Sequence, residues 1–464
     1  MAFLDFFFKK AVTPHPFTAT LLPEQLRAYN AERPENVRHT FCTAPSVNML
    51  FAQDGSVRVC CNNLEYVVGK YPLQTVDEIW QGEALKKLRT AMANFDLSKG
   101  CRVCQEIVDV QEYQESPSVY FDAYKPGGLP QMMEFLLSNT CNLECVMCQG
   151  EFSSLIRKNR EKLPPLKFPY DAAFLEQIKP YLKNLKEARF SGSGEAFAID
   201  LYYDIWEFLI KENPACRIVI QSNGTYMNAR IKDLLNRGNF YLGISLDSLQ
   251  KEKYEAIRIN ASFERVIENI RYLAAYSEER KKPFFIAACI MRNNWEEMPA
   301  FVEFASGLNS LIHFHQVYQP KHLSLQSWPA QKLAEVCNAL TEARLTGNGS
   351  TLERNKKHYY YFVKILQAWH QSAKASQGQE AEYLTLEQYE EKLRAIINGM
   401  DISTEDKLIF LAKFNSVVGS YHSEEQRRKL YEHTLQQNPK TLVDSVMKYP
   451  EEFLIEQSAN LFRI

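Results

Sequence analysis

Between residues 131 and 325, six apolar, β-rich runs alternate with stretches of helical periodicity, and this alternation narrows the fold more than any other feature. The runs are MMEFLLS (132–138), EARFSG (187–192), RIVIQSNG (217–224), FYLGISLD (240–247), FFIAACIM (284–291) and LIHFHQVY (311–318). Between them lie segments such as IDLYYDIWEFLIKE (199–212) and SFERVIENIRYLAAYSEE (262–279), whose apolar residues recur with the period of a helix. Strands separated by helices read as βα units around a parallel sheet, so the fold class is α/β. Right-handed crossovers can curl such a sheet into a full or partial barrel, with the site at the carboxyl ends of the strands.

The flanks differ in character. Residues 1–130 hold turn signals (QDGS, KPGG), short strand-like pieces and five cysteines, whereas 326–464 is almost wholly helical in pattern, with ASQGQEAE (375–382) as a loop. A chain of 464 residues suits two or three domains, and 45% hydrophobic residues can bury sizeable cores. Lys and Arg number 54 against 56 Asp and Glu, which removes a nucleic-acid binder held by a general positive field. No apolar run reaches the roughly 18 residues of a membrane span. The N-terminal MAFLDFFFKKAVTPHPF is apolar, but Asp5 interrupts it and the lysines follow the hydrophobic part, the wrong order for a secretory signal. It reads as a segment packed on the body, with a membrane-surface contact as the alternative. Eleven cysteines without such a signal argue for a reducing cytoplasm rather than a disulfide framework. Eight fall in two clusters; Cys216, Cys289 and Cys337 read as buried small hydrophobes.

The first cluster is LLSNTCNLECVMCQG (136–150), where Cys141, Cys145 and Cys148 form a CxxxCxxC array at the end of the first run. Three thiolates leave a fourth coordination position open, an arrangement of catalytic rather than structural sites. Zinc and a [4Fe–4S] cluster both suit such a set.

CxxxCxxC after the first strand of a βα barrel resembles the signature of the radical S-adenosylmethionine (radical SAM) enzymes. The resemblance implies a partial (β/α)6 barrel and a [4Fe–4S] cluster whose open iron is chelated by the amino and carboxylate groups of S-adenosylmethionine. One electron then splits the sulfonium, and a 5′-deoxyadenosyl radical takes hydrogen from substrate. Downstream, FSGSGEAF places Ser193, Gly194 and Glu195 where the family has its GGE motif. Glycine lets backbone approach a ligand, and a carboxylate accepts an ammonium. QSNGT (Ser222, Asn223) resembles the family's (S/T)NG motif and GISLDSL (Ser245) its SLD motif. Arg258 resembles a family arginine that reaches the cosubstrate carboxylate. Met147 stands where the family often has an aromatic residue, Ala196 where it has proline, and Ser193 where it has the first glycine.

Upstream, Cys42 is followed by twelve residues, Gly55, four residues and Cys60, with Cys101 and Cys104 later in CRVCQ. This resembles the SPASM and twitch extensions of the same family, which carry auxiliary [4Fe–4S] clusters. Two departures stand out: the module precedes the barrel rather than following it, and cysteines for a second auxiliary cluster are missing. The resemblance implies one auxiliary cluster on Cys42, Cys60, Cys101 and Cys104, with Cys61 spare or exchanging for Cys60. A zinc site with paired cysteines is the alternative.

His313 and His315 alternate on the sixth strand and so share a face, where either can act as an acid or base on substrate; packing is the simpler role. Arg189 and Ser191 share a face of the second strand, and HYYYF (358–362) reads as aromatics packed by a helix. The resemblance implies an N-terminal auxiliary-cluster domain (1–130), a barrel (131–325) and a helical C-terminal domain (326–464). The expected substrate is a peptide or protein, with a small polar metabolite such as an aminosugar or polyol as the alternative. An electron donor such as a flavodoxin or ferredoxin is the expected partner. A non-enzymatic zinc or iron–sulfur interaction protein, and a methyltransferase that uses the cosubstrate without radicals, are rivals that leave part of the pattern unexplained.

Overall fold

The computed structural model describes residues 21–63, 65–109, 111, 113–376, 385–435 and 439–459. The N-terminal apolar run and most of the 375–382 loop lie outside the described residues. The strands are β1 (Asn48–Phe51), β2 (Ser56–Arg58), β3 (Gly69–Lys70), β4 (Met132–Phe135), β5 (Glu187–Phe190), β6 (Arg217–Ser222), β7 (Phe240–Ser245), β8 (Phe284–Ile290) and β9 (Leu311–Gln316). From β4 onward each begins where its apolar run begins. Each stops short of the end of its run, because the chain leaves the ladder for the loops that carry the motifs.

The described residues pack as two compact units. The first takes the chain through Ser245 together with Arg258–Phe285. Its sheet runs β3-β2-β1-β4-β5-β6-β7. β1 pairs antiparallel with β2 but parallel with β4, and every pairing from β4 to β7 is parallel. The sheet therefore passes through residue 130, where composition changes. The β1–β2 turn needs Gly55: its φ is +83°, and a Cβ there would lie 2.1 Å from the Tyr71 carbonyl oxygen.

Register explains the core. Phe51, Phe135 and Phe190 are direct neighbours across β1, β4 and β5, with ring centroids 5.9 and 5.1 Å apart. The row ends on the helix Asp200–Glu212, whose Trp206 sits 5.4 Å from Phe190. Alternation sends the residues between them to the opposite face, where Leu50, Glu134, Arg189 and Val219 stand in register. Polar caps start the helices that follow the strands, Asp171 accepting from Ala173 and Phe174 and Asn228 from Ile231.

The second unit takes Leu246–Ile257 and the chain from Ile286. It is mostly helical, as the sequence pattern of 326–464 predicts. Asn355 of the helix Ser350–Ser376 donates to the Ser310 carbonyl at 2.9 Å and accepts from Ile312 N at 2.9 Å, pinning the start of β9. In the HYYYF run Tyr359 and Phe362 are buried beside Phe314, while Tyr360 faces out. Cys216 and Cys337 are buried; Cys289 is only half-buried, contrary to its apolar context. Among the described residues no helix is long and apolar enough to cross a membrane.

Candidate functional site

The loop 141–150 leaves the carboxyl end of β4 and is held from many sides. Cys141 N–H donates to Ser154 Oγ (3.2 Å) and Ser153 Oγ to the Leu143 carbonyl (2.7 Å). Asn139 donates to the Gly150 carbonyl (2.8 Å), and Glu161 accepts from Gly150 N (2.7 Å). Arg160 donates to the carbonyls of Cys145 and Cys148. Cys145 is buried, and Cys141, Met147 and Cys148 are half-buried. Burial is the main cause that pushes the Cys141 thiol up to about 11 and Cys148 to about 12, with neighbouring cysteines adding to it. Such thiols stay protonated unless a metal charge displaces the proton.

The downstream motifs meet this loop. Glu195, 1% exposed, accepts from Ser222 Oγ (2.7 Å), Asn223 N (2.7 Å) and Phe197 N (3.2 Å). Its carboxylate therefore braces the end of β6, a role the sequence does not announce; burial raises its pKa against those donors and Arg258. Asn223 Nδ2 donates to Asn142 Oδ1 at 2.9 Å and reaches Cys141 Sγ at 4.0 Å. Arg258 Nη1 lies 4.0 Å from Cys145 Sγ. Gly194 has φ +63°, and a Cβ there would meet the carbonyls of Thr140 and Ser138 at 2.7 and 2.8 Å. Ser193 donates to the Ser138 carbonyl (2.8 Å) and is itself touched by Gln53 Nε2, which extends the group to the β1–β2 turn. Ser245 accepts from Gln221 at 2.9 Å.

Cys42, Cys60, Cys101 and Cys104 line one small cavity of about 20 Å³, walled by Phe41, Val59, Leu88 and Phe121 among others. Cys61 does not line it. Cys61 is exposed, and Glu134 and Arg189, on the sheet face opposite the aromatic row, bear on it more strongly than Cys104 does. There Glu134 is buried and accepts from Asn48 at 2.6 Å. Arg189 stacks over Tyr120 and donates through Nε to Glu187, which Tyr120 and Tyr124 also engage. Sequence reasoning named Arg189 but missed Glu134 and Glu187; buried acids inside otherwise apolar runs were the available signal.

All eleven cysteines are free. Among the described residues no three His, Cys, Asp or Glu groups converge on one ion-sized point. Within each set the thiols influence one another electrostatically. The donor chemistry of both sets fits iron–sulfur clusters. His313 and His315 belong to the second unit: His313 packs 4.7 Å from the His358 ring, and His315 is exposed beside Asp247.

Residues 135–305 match the model of the radical SAM superfamily, and residues 42–105 that of the SPASM iron–sulfur cluster-binding domain. The two segments take in just over half of the chain. A cysteine-type anaerobic sulfatase-maturating enzyme of Clostridium novyi is 33% identical over 156 residues, covering 31% of this chain and 40% of that protein. The chain thus spans well under two thirds of that curated relative. Among solved structures, native anSMEcpe with bound AdoMet aligns with TM-score 0.34 at 18% identity, covering 46% of this chain and 59% of that one. Streptococcus suis SuiB bound to precursor peptide SuiA aligns with TM-score 0.34 at 16% identity, covering 59% and 56%. A radical SAM domain brings a [4Fe–4S] cluster and S-adenosylmethionine, and a SPASM domain an auxiliary iron–sulfur site. The chain carries a radical SAM superfamily domain over residues 135–305, preceded by a SPASM iron–sulfur cluster-binding domain over residues 42–105.

Proposed function

We propose that the chain is a radical SAM enzyme that modifies a peptide or protein. The observation that carries this reading is the meeting of the Cys141–Cys148 loop with Glu195, Ser222 and Asn223 at the carboxyl ends of β4, β5 and β6. Cys141, Cys145 and Cys148 would hold the [4Fe–4S] cluster, and Cys42, Cys60, Cys101 and Cys104 a fully ligated auxiliary one. When bound, the first cluster and S-adenosylmethionine supply a 5′-deoxyadenosyl radical able to take hydrogen from a substrate C–H bond.

The chain's own residues hold and orient. Glu195 fixes Ser222 and the Asn223 backbone, which leaves the Asn223 amide turned toward Cys141. Arg258, beside Cys145, would pair with a cosubstrate carboxylate, which a guanidinium can engage with two parallel hydrogen bonds. Gly194 keeps the backbone open next to Ser138 and Thr140, and Met147 gives an apolar, adaptable surface. Ser193 and Ser245 offer hydroxyls at the ends of β5 and β7. His313 and His315 are assigned no role at the reacting atoms. The 1–130, 131–325 and 326–464 segments would serve as auxiliary-cluster, radical SAM and helical domains.

A peptide or protein substrate is favoured by the Clostridium novyi relative, whose name makes a sulfatase its target. A flavodoxin or ferredoxin in a reducing cytoplasm would supply electrons. The test is anaerobic reconstitution with iron and sulfide, then reduction with S-adenosylmethionine and a panel of peptides encoded nearby. About eight irons per chain, 5′-deoxyadenosine and a mass change in one peptide are expected. Stoichiometric zinc without 5′-deoxyadenosine sinks the enzyme reading, and turnover of a polyol or aminosugar alone sinks the peptide reading.

A further inference from the structure

The auxiliary cavity has a shell of hydrogen-bond donors around its sulfurs. Asn63, 1% exposed, follows Cys60 by three residues. Its Nδ2 donates to the Lys99 carbonyl at 2.7 Å and to Cys101 Sγ at 3.7 Å, and its Oδ1 accepts from Tyr66 N at 3.1 Å. Gly100 makes room for it: φ is +79°, and a Cβ there would come within 2.2 Å of Asn63 Oδ1. One side chain therefore ties the Cys60 arm to the Cys101 arm, Asn63 and Cys101 being 38 residues apart. On the far side, Ala44 N donates to Cys42 Sγ at 3.4 Å. A buried hydroxyl chain joins Tyr29 to Ser118 (2.6 Å) and Ser118 to Ser116 (2.7 Å), and Ser118 lines the cavity together with Cys104.

We propose that Asn63 and the Tyr29–Ser118–Ser116 chain are positioning residues for the auxiliary cluster, closing its two cysteine arms and setting its reduction potential. Reduction adds negative charge, and donors aimed at ligand sulfurs stabilise that charge, so the shell raises the potential. Asn63 acts at Cys101, and Ser118 lines the cavity together with Cys104 of the same arm. The inference rests on the reading that these four cysteines hold a cluster.

The experiment uses the full chain with Cys141, Cys145 and Cys148 all replaced by Ala, so that only auxiliary iron remains. Its potential is followed by an EPR-monitored redox titration. Asn63→Asp keeps the acceptor for Tyr66 but loses the N–H toward sulfur; Ser118→Ala interrupts the hydroxyl chain. Both are expected to move the potential to more negative values, and Asn63→Asp to release iron faster to a chelator. Asn63→Leu is a harsher variant, and Ser118→Ala keeps the test decisive should it fail to fold. Iron retained with an unmoved potential in both Asn63→Asp and Ser118→Ala overturns the inference. A parent protein without iron overturns the four-cysteine reading instead.

Discussion

Ser222 gives its hydroxyl hydrogen to Glu195 across 2.7 Å, joining the end of β6 to the end of β5. With the Asn223 N–H on the other carboxylate oxygen, this bond sets the height at which the two loops meet the cysteine array. Glu195→Ala should strand these buried donors at a cost of about 1–3 kcal/mol. It should also weaken S-adenosylmethionine binding by about tenfold or more. Urea unfolding and calorimetric titration of the reconstituted protein check the two effects separately.

Gly194→Ala combines a positive φ with two carbonyl oxygens closer than any Cβ tolerates. A loss on the order of 1–3 kcal/mol is expected, with reduced iron retention on the 141–148 loop. Gly307→Ala, where nothing lies near the new methyl group, is the matched control and should leave both measurements unchanged.

Single Ala variants of Cys141, Cys145 or Cys148 should lose about half of the iron and all 5′-deoxyadenosine formation. Cys61→Ala should retain its iron, because Cys61 stands outside the cavity lined by the other four upstream cysteines. Loss of auxiliary iron from Cys61→Ala, with Cys60→Ala retaining it, would reverse that assignment.

Trp206 is fully buried and touches Phe190, Phe197 and Phe240 with ring centroids 5.4–5.9 Å away. Trp206→Ala should cost about 3–5 kcal/mol. Chemical denaturation gives the value; a loss below 1 kcal/mol would mean that the aromatic row does not anchor this helix to the sheet.

Acid should weaken the second unit. Burial, helped by Lys321, lowers His433 from 6.5 to about 3, and burial, helped by His358, His315 and Arg354, lowers His313 to about 4. Both are neutral when folded, so the unfolded chain takes up protons first. Their contribution is complete above pH 6.5 and is lost as pH falls toward those lower values. For His433 the loss is on the order of 2 kcal/mol at pH 5. Urea midpoints at pH 7.5 and 5 should differ accordingly, and less so in His433→Asn.

The cysteine arrays and strand-end motifs were legible because each is local, a few residues of known chemistry where an apolar run stops. The six strands were legible for the same reason. What escaped were relationships of long range. Nothing near Asn48 in the chain says that it reaches Glu134, and nothing near Asn63 says that it meets Cys101. A carboxylate at a strand end, such as Glu195, invites the role of a ligand for an ammonium. Its three protein donors appear only when β6 is set beside it. Cys60 and Cys61 look equivalent in sequence, yet the turn after β2 leaves one in the cavity and the other exposed near Arg189.

The parallel pairing of β1 with β4 bears on the order in which the protein matures. β1 is synthesised about 80 residues before the strand it must lie beside, so on a nascent chain its edge stays uncovered while the whole cysteine-bearing segment between them emerges. Every residue that lines the auxiliary cavity lies between Phe41 and Phe121, so the whole cavity is translated before β4, the strand that leads into the second cysteine array.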